Sequence, residues 1–182
     1  MMTVRVEAVC ISTPETRVAK RPQAEAMVEQ HGFAGDRHAG ESRVSARTGQ
    51  AVPNRRQWSA VATEEVEDFC RALGVPPFPL GALGENLRLA GIRLADVEPG
   101  TVFEFASGCR LEVCAQNDPC ENAAAELGAA YGPQVTRSFV RASYGKRGVV
   151  GRVLSPGLVR AGDVAKVVPP EPAGQPNAGL RT

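Results

Sequence analysis

Glycine and proline recur along this chain, 19 and 14 times in 182 residues, and they fall between short β-prone runs. Punctuation of that density predicts a mainly β barrel or sandwich rather than a helical bundle. Thr3 to Ile11 alternates apolar and polar residues and predicts a first strand; Gln57 to Ala62, Leu87 to Leu89 and Thr101 to Phe105 predict three more. Gly148 to Leu154, Leu158 to Arg160 and Val164 to Val168 repeat the pattern after turns. Pro99-Gly100-Thr101-Val102 and Ala161-Gly162-Asp163-Val164 echo each other and predict similar hairpin geometry. Between strands, Thr63 caps a helix whose stripe is Val66, Phe69, Cys70 and Leu73, and Gly74 ends it. Residues 42–56 read as a polar, basic loop, and Pro76 to Pro79 as a rigid connector. Residues 1–168 are expected to form one domain, with residues 169–182 a low-complexity, disordered C-terminal tail.

Bulk properties exclude several classes. A formal net charge of +1 carries no global signature of nucleic-acid binding. No run approaches the ~20 apolar residues of a membrane span, and the N-terminus has no signal-peptide core. Five cysteines at irregular spacing do not make a disulfide framework, so a reduced, cytoplasmic protein is expected.

The chemistry is concentrated at Asp118-Pro119-Cys120-Glu121. Arg110 to Gln116 upstream alternates as a half-buried strand does, and Ala123 to Tyr131 downstream favours helix up to Gly132-Pro133. Asp118 suits an N-cap, Pro119 the first helical position, and Glu121 the capping-box position. Cys120 is thus expected at the second helical position, among unpaired N–H groups at the positive end of the helix dipole. A free thiol of pKa ~8.5 is only about 3% thiolate at neutral pH, and a helix start favours the thiolate. Asp118 and Glu121 oppose that, so a nearby cation is needed for strong activation. The competing reading is a small hydrophobe packed at a strand–helix corner.

Two constellations accompany the thiol. Gly32-Phe33-Ala34-Gly35-Asp36-Arg37-His38-Ala39-Gly40 brackets Asp36, Arg37 and His38 with glycines, and Arg37 could clamp a phosphate or a planar heterocycle. Its spacing fits neither a Walker A loop nor a dinucleotide fingerprint. Arg137, Arg141, Lys146 and Arg147 form a basic cluster, otherwise a solvated face, that could supply the missing cation. Cys109, Cys114 and Cys120 lack metal-ligand spacing, and His31 and His38 fit no HExxH pattern, so a structural zinc site is not expected.

With these motifs the chain resembles the MOSC domain family, found at the C-terminus of molybdenum-cofactor sulfurases and as stand-alone bacterial proteins. The resemblance rests on Gly35-Asp36-Arg37-His38-Ala39-Gly40, on Gly84-Glu85-Asn86-Leu87, on Pro119-Cys120, and on Gly157 to Val164 with its Gly-Asp near the end. It covers residues 3–168 in the family's order. It implies a MOSC-like β-barrel with a few peripheral α-helices and a pocket for the molybdenum cofactor (molybdopterin). Cys120 would be the catalytic thiol or the metal ligand. Asp36, Arg37, His38, Asn86, Arg137, Arg141, Lys146 and Arg147 are the cofactor-binding candidates. Family members often carry arginine before the Pro-Cys pair and lysine after it; this chain has Asn117-Asp118 and Glu121.

The resemblance implies two chemistries: a persulfide sulfur carrier to a metal–sulfur acceptor, or a molybdenum-dependent reductase of N-hydroxylated substrates. A small-molecule cofactor is the expected ligand. The expected protein partner is a cysteine desulfurase, which would bring the pyridoxal phosphate, or a redox protein. A cofactor-delivery module, or a thiol redox sensor with Cys114 or Cys109 as resolving thiol, is the non-enzymatic alternative.

Overall fold

The structure, a computed structural model, describes residues 2–171. Its frame is a closed seven-stranded barrel. β1 (Thr3–Ser12) pairs with β8 (Leu87–Ala90), followed around the barrel by β7 (Trp58–Ala62), β11 (Val149–Ser155), β10 (Arg110–Gln116), β9 (Val102–Phe105) and β13 (Val164–Val168). β13 returns to β1 through Thr3↔Lys166, Val4↔Ala165 and Arg5↔Val164, which closes the ring. All pairs are antiparallel except β7–β8, which helix α1 (Thr63–Leu73) joins as a crossover. β2 (Lys20–Gln23) extends the sheet from the far end of β1.

Alternation sets which side of each strand is buried. In β1, Val4 and Val6 point inward while Thr3 and Arg5 face solvent. Past a bulge between Val6 and Ala8, three successive residues are buried because the Gly81 loop covers the outer face at Cys10. The barrel interior is filled by Val6, Val9, Leu87, Leu89, Leu111 and Val113 around Trp58, whose ring meets Phe103 edge-on at 6.1 Å.

A second core lies outside the barrel, where α1 packs against α2 (Glu121–Tyr131) and α3 (Pro133–Ser143). Phe69 of α1 meets Phe139 of α3 edge-on at 6.0 Å, and Phe78 lies 5.0 Å from Tyr131. Gly128 costs α2 helix propensity but is required by packing: a Cβ there would sit 1.7 Å from the Thr136 hydroxyl.

Several sequence expectations change. Ala62, not Thr63, flanks α1, because β7 runs into the helix without a spare residue; the Thr63 hydroxyl instead donates to Glu7. Residues 42–56 are not all loop: β5 (Ser42–Val44) and β6 (Ala51–Pro53) form an exposed hairpin. The basic run from Arg137 belongs largely to α3, with Pro133 at its start and Val135, Phe139 and Ala142 turned inward. β3 (Glu25–Glu29) and β4 (Gly32–Phe33) were not expected. They pair with β12 (Gly157–Arg160), so β12 and β13 lie in different sheets and do not form a hairpin. The two echoing turns do share glycines of matching φ, 92° and 93°, and the strands that leave them, β9 and β13, are partners. Of the expected tail, residues 172–182 lie outside the described residues, while Pro170 packs against Gly100.

Gly151 on β11 gives the barrel its sharpest packing test. A Cβ there would lie 2.0 Å from the Glu112 carbonyl oxygen and 2.5 Å from the Trp58 ring. Gly151→Ala is expected to destabilise the fold by about 2–3 kcal/mol or more, read as a lowered urea midpoint at unchanged m.

Candidate functional site

The site forms where the barrel rim meets the start of α2. Asn117 N–H donates to the Gly148 carbonyl at 2.8 Å, so the β10–β11 ladder persists up to the Asp118-Pro119 step. Residues before proline prefer extended backbone, which delays the helix. Cys120 itself is therefore the flanking residue, with φ −123° and ψ 154°, and the first helical bond runs from Ala124 N–H to its carbonyl. Neither Asp118 nor any other side chain caps the helix, which corrects the expected capping box. A thiol stands where a capping oxygen normally sits, and it is exposed.

Cys120 lines a cavity of about 240 Å³ together with Arg17, His38, Arg56, Asn117 and Arg147. Arg56 donates to Asn117 Oδ1 at 2.6 Å, which ties the strand entering β7 to the loop that carries the thiol. Burial and the neighbouring Arg43 push the Arg56 guanidinium down from its ordinary value; Asp118 and Cys120 oppose that. Arg147 is 5% exposed, donates to the Leu83 carbonyl, and leaves its Nε without a partner. Burial pushes its guanidinium down too, with Glu85 and Cys120 opposing.

The predicted site residues divide by position. Cys120, His38 and Arg147 line the cavity. Asp36 is buried beneath it: its carboxylate pairs with Lys20 Nζ at 2.9 Å and accepts from the Ser12 hydroxyl at 2.9 Å and from His38 N–H at 3.0 Å. Burial pushes the Asp36 carboxyl up, but hydrogen bonding by His38 and the Lys20 charge outweigh that and hold it well below the usual carboxylate range. Arg37 does not face the cavity; its Nε donates to Ser12 Oγ at 2.8 Å and its Nη1 to the Arg17 carbonyl, fastening the 12–19 loop. Asn86 is fully buried and bridges Ser59 N–H and the Cys10 carbonyl. Arg137 and Arg141 are exposed on α3, and Lys146 reaches Asp68 at 4.0 Å. The cation expected from the 137–147 cluster is thus Arg147 alone. Arg56 was missed; the paired arginines at 55 and 56 after Asn54 were the available signal.

Cys109 is fully buried, and burial pushes its thiol up to about 12, which leaves it unsuited as a resolving partner. Among the described residues no group of three or more His, Cys, Asp or Glu could hold a metal, and no helix is long and apolar enough to cross a membrane. A larger, mainly apolar groove of about 1130 Å³ between Gly91–Glu98 and Lys166–Pro170 contains none of the predicted site residues.

A closed β-barrel with three outer helices, and an exposed thiol at a helix start above an arginine-lined cavity, defines the class. The chain belongs to the MOSC domain family, whose model matches residues 27–166. It is 31% identical over 175 residues to YuaD of Bacillus subtilis strain 168, named as a candidate metal-sulfur cluster biosynthesis protein, with 91% of each chain covered. The crystal structure of the Bacillus subtilis YuaD protein superposes with a TM-score of 0.87 at 30% identity, over 91% of this chain and 96% of that one. YiiM from Geobacillus stearothermophilus shares the fold at a TM-score of 0.62 and 22% identity, over 91% of this chain and 74% of that one. YiiM from Escherichia coli does so at 0.63 and 18%, over 92% and 70%.

Two outcomes follow. In the native protein a soluble alkylating agent modifies Cys120 first, while Cys10, Cys70 and Cys109 react only after unfolding, because burial raises all three, Cys10 and Cys109 to about 12; peptide mapping after timed alkylation checks this. The folded Asp36 carboxyl is depressed relative to the unfolded ~3.9, so its contribution is fully present above that pH and is lost as pH falls below it. Asp36→Asn strands the buried Lys20 charge and is expected to cost about 3–5 kcal/mol at pH 7, with a shallower acid slope between pH 5 and 3 in urea titrations.

Proposed function

We propose that this protein is a sulfur carrier in metal–sulfur chemistry, in which Cys120 accepts sulfane sulfur as a persulfide and delivers it to a metal–sulfur acceptor such as the molybdenum cofactor. The observation that carries this reading is the placement of an exposed, untethered thiol on the wall of a cavity that Arg56 and Arg147 also line. Sulfur exchange needs a thiolate that a donor and an acceptor can both reach. Cys120 meets that at the rim of the cavity, and the other cysteines, Cys114 apart, are buried. The relative's name, which speaks of metal–sulfur cluster biosynthesis, supports the same chemistry. A cysteine desulfurase is the proposed protein donor.

A second reading makes Cys120 the protein ligand of a bound molybdenum cofactor. The described residues offer a metal one soft thiolate here and no cluster of harder ligands, which suits a metal whose remaining ligands come with its cofactor. Arg56 and Arg147 would hold the anionic phosphate, and the cavity admits that end rather than the whole pterin. Such a group, when bound, supplies two-electron reduction of N-hydroxylated substrates, with electrons from a redox partner. This chain's part is to hold thiolate and phosphate and to keep His38 oriented through Asp36.

Intact-protein mass after incubation with a desulfurase and cysteine tests the first reading. A gain of one sulfur atom, reversed by reductant and absent in Cys120→Ala, is expected. Protein from cofactor-competent cells that instead carries stoichiometric molybdenum, lost in Cys120→Ala, and gains no sulfur would decide for the second.

A further inference from the structure

The cavity beside Cys120 contains a buried cation without a counter-ion. Arg147 is 5% exposed, and of its donors only Nη2 meets a protein acceptor, the Leu83 carbonyl, while Nε meets none. No carboxylate among the described residues forms an ion pair with it. Glu85, the acidic group that acts on it most, is committed to Arg88 at 2.7 Å and to the amides of Gly81 and Leu83 at 2.9 and 3.1 Å. An uncompensated buried charge is costly, and the fold keeps one only where something else neutralises it.

Apart from Asp118, the one carboxylate on its wall, the charged groups around the cavity point to an anion. Arg56 and Arg17 line it, and the amide end of an eleven-residue helix opens at Cys120 and Asn122 with no side-chain cap. The volume, about 240 Å³, is below the ~300–1,000 Å³ of sites for drug-sized ligands, so the anion is small. A nucleophilic sulfur on the cavity wall adds the last requirement: the anion carries an atom that a thiolate can attack.

We propose that this cavity binds a small sulfane-sulfur oxyanion of the thiosulfate class and that Cys120 takes its outer sulfur. The inference rests on the sulfur-carrier reading and deepens it by naming a donor that needs no partner protein. The Cys120 thiolate attacks the outer sulfur; a Sγ–S bond forms as the donor's S–S bond breaks. The electron pair of the broken bond leaves with sulfite. One monoanion and one dianion give one monoanion and one dianion, with no proton and no external oxidant or reductant consumed. Arg147 and Arg56 grip the sulfonate oxygens, where charge gathers as sulfite departs. A persulfide on a partner protein has no sulfonate and would leave the buried guanidinium unused.

The test follows sulfur loading by intact mass and by sulfite release, with thiosulfate as one donor and, as the other, a neutral organic trisulfide, whose mixed trisulfide with Cys120 one equivalent of a small thiol then cleaves to the persulfide and a disulfide. Wild type is expected to load one sulfur from either donor, releasing sulfite only from thiosulfate, and Cys120→Ala from neither. Arg56→Gln, which leaves the buried Arg147 in place, is expected to lower the thiosulfate-to-trisulfide rate ratio at least ~10-fold, as loss of a charge-assisted hydrogen bond does. Excess inorganic sulfate is expected to slow loading from thiosulfate and not from the trisulfide. Loading by the trisulfide but not by thiosulfate would overturn this inference and leave the carrier reading standing. Loading by neither donor would sink both. An unchanged ratio in Arg56→Gln would remove the anion site.

Discussion

The carboxylate of Glu85 is the contact on which the rest of the structure depends. It is fully buried and accepts from the amides of Gly81 and Leu83 and from Nε and Nη2 of Arg88. The next residue, Asn86, exchanges backbone hydrogen bonds with Ser59 and Cys10 while its side chain takes the Ser59 amide and gives to the Cys10 carbonyl. Barrel strands β1, β7 and β8 therefore meet at one buried polar node, and the same node fixes the loop from Pro79 to Gly84. Because that loop presents the Leu83 carbonyl to Arg147, the position of the cavity's buried cation is set by a carboxylate outside the cavity. Buried polar groups so fully satisfied specify a unique arrangement, and the loss of one member leaves the others unpaired.

Much of the fold was legible because its signals are local. Strand alternation, the α1 stripe and the Gly74 stop need only nearest neighbours along the chain, and each is present. What escaped reading is what depends on distant partners. β3 and β4 are short, and they exist because β12 arrives from more than a hundred residues away. α3 was hidden because Arg137 and Arg141 advertise its solvent face while the buried Val135 and Phe139 alternate with them. The site divides the same way. Cys120 could be read from its motif, whereas the glycine loop's spacing could not say that Asp36 turns inward to Lys20, that Arg37 fastens a loop, or that only His38 reaches the cavity.

Bulk charge is a poor guide to this surface. Twenty-one basic residues against twenty acidic ones average to near neutrality. Nine of the Lys and Arg side chains pair with carboxylates among the described residues, as in Arg93–Asp68, Arg152–Glu112 and Arg160–Glu25. Around the thiol the balance fails: Arg17, Arg56 and Arg147 share a cavity in which Asp118 is the lone carboxylate. Asn117, Asp118 and Glu121 make the thiol's own loop neutral to acidic, so the positive field at Cys120 comes from β7's approach and from the turn before β11, not from its own sequence neighbours.

The pairing that seals the ring also orders events in time. β1 leaves the ribosome long before β13, one of its two barrel neighbours. Local pieces such as the α2–α3 pair or the β10–β11 ladder can form early, since their partners are close in sequence. The seam at Thr3–Arg5 must wait, and the newborn chain carries an open sheet edge until β13 has been made. Arg5 and Lys166 on that seam are the charged side chains that discourage a neighbouring molecule from taking β13's place during the wait.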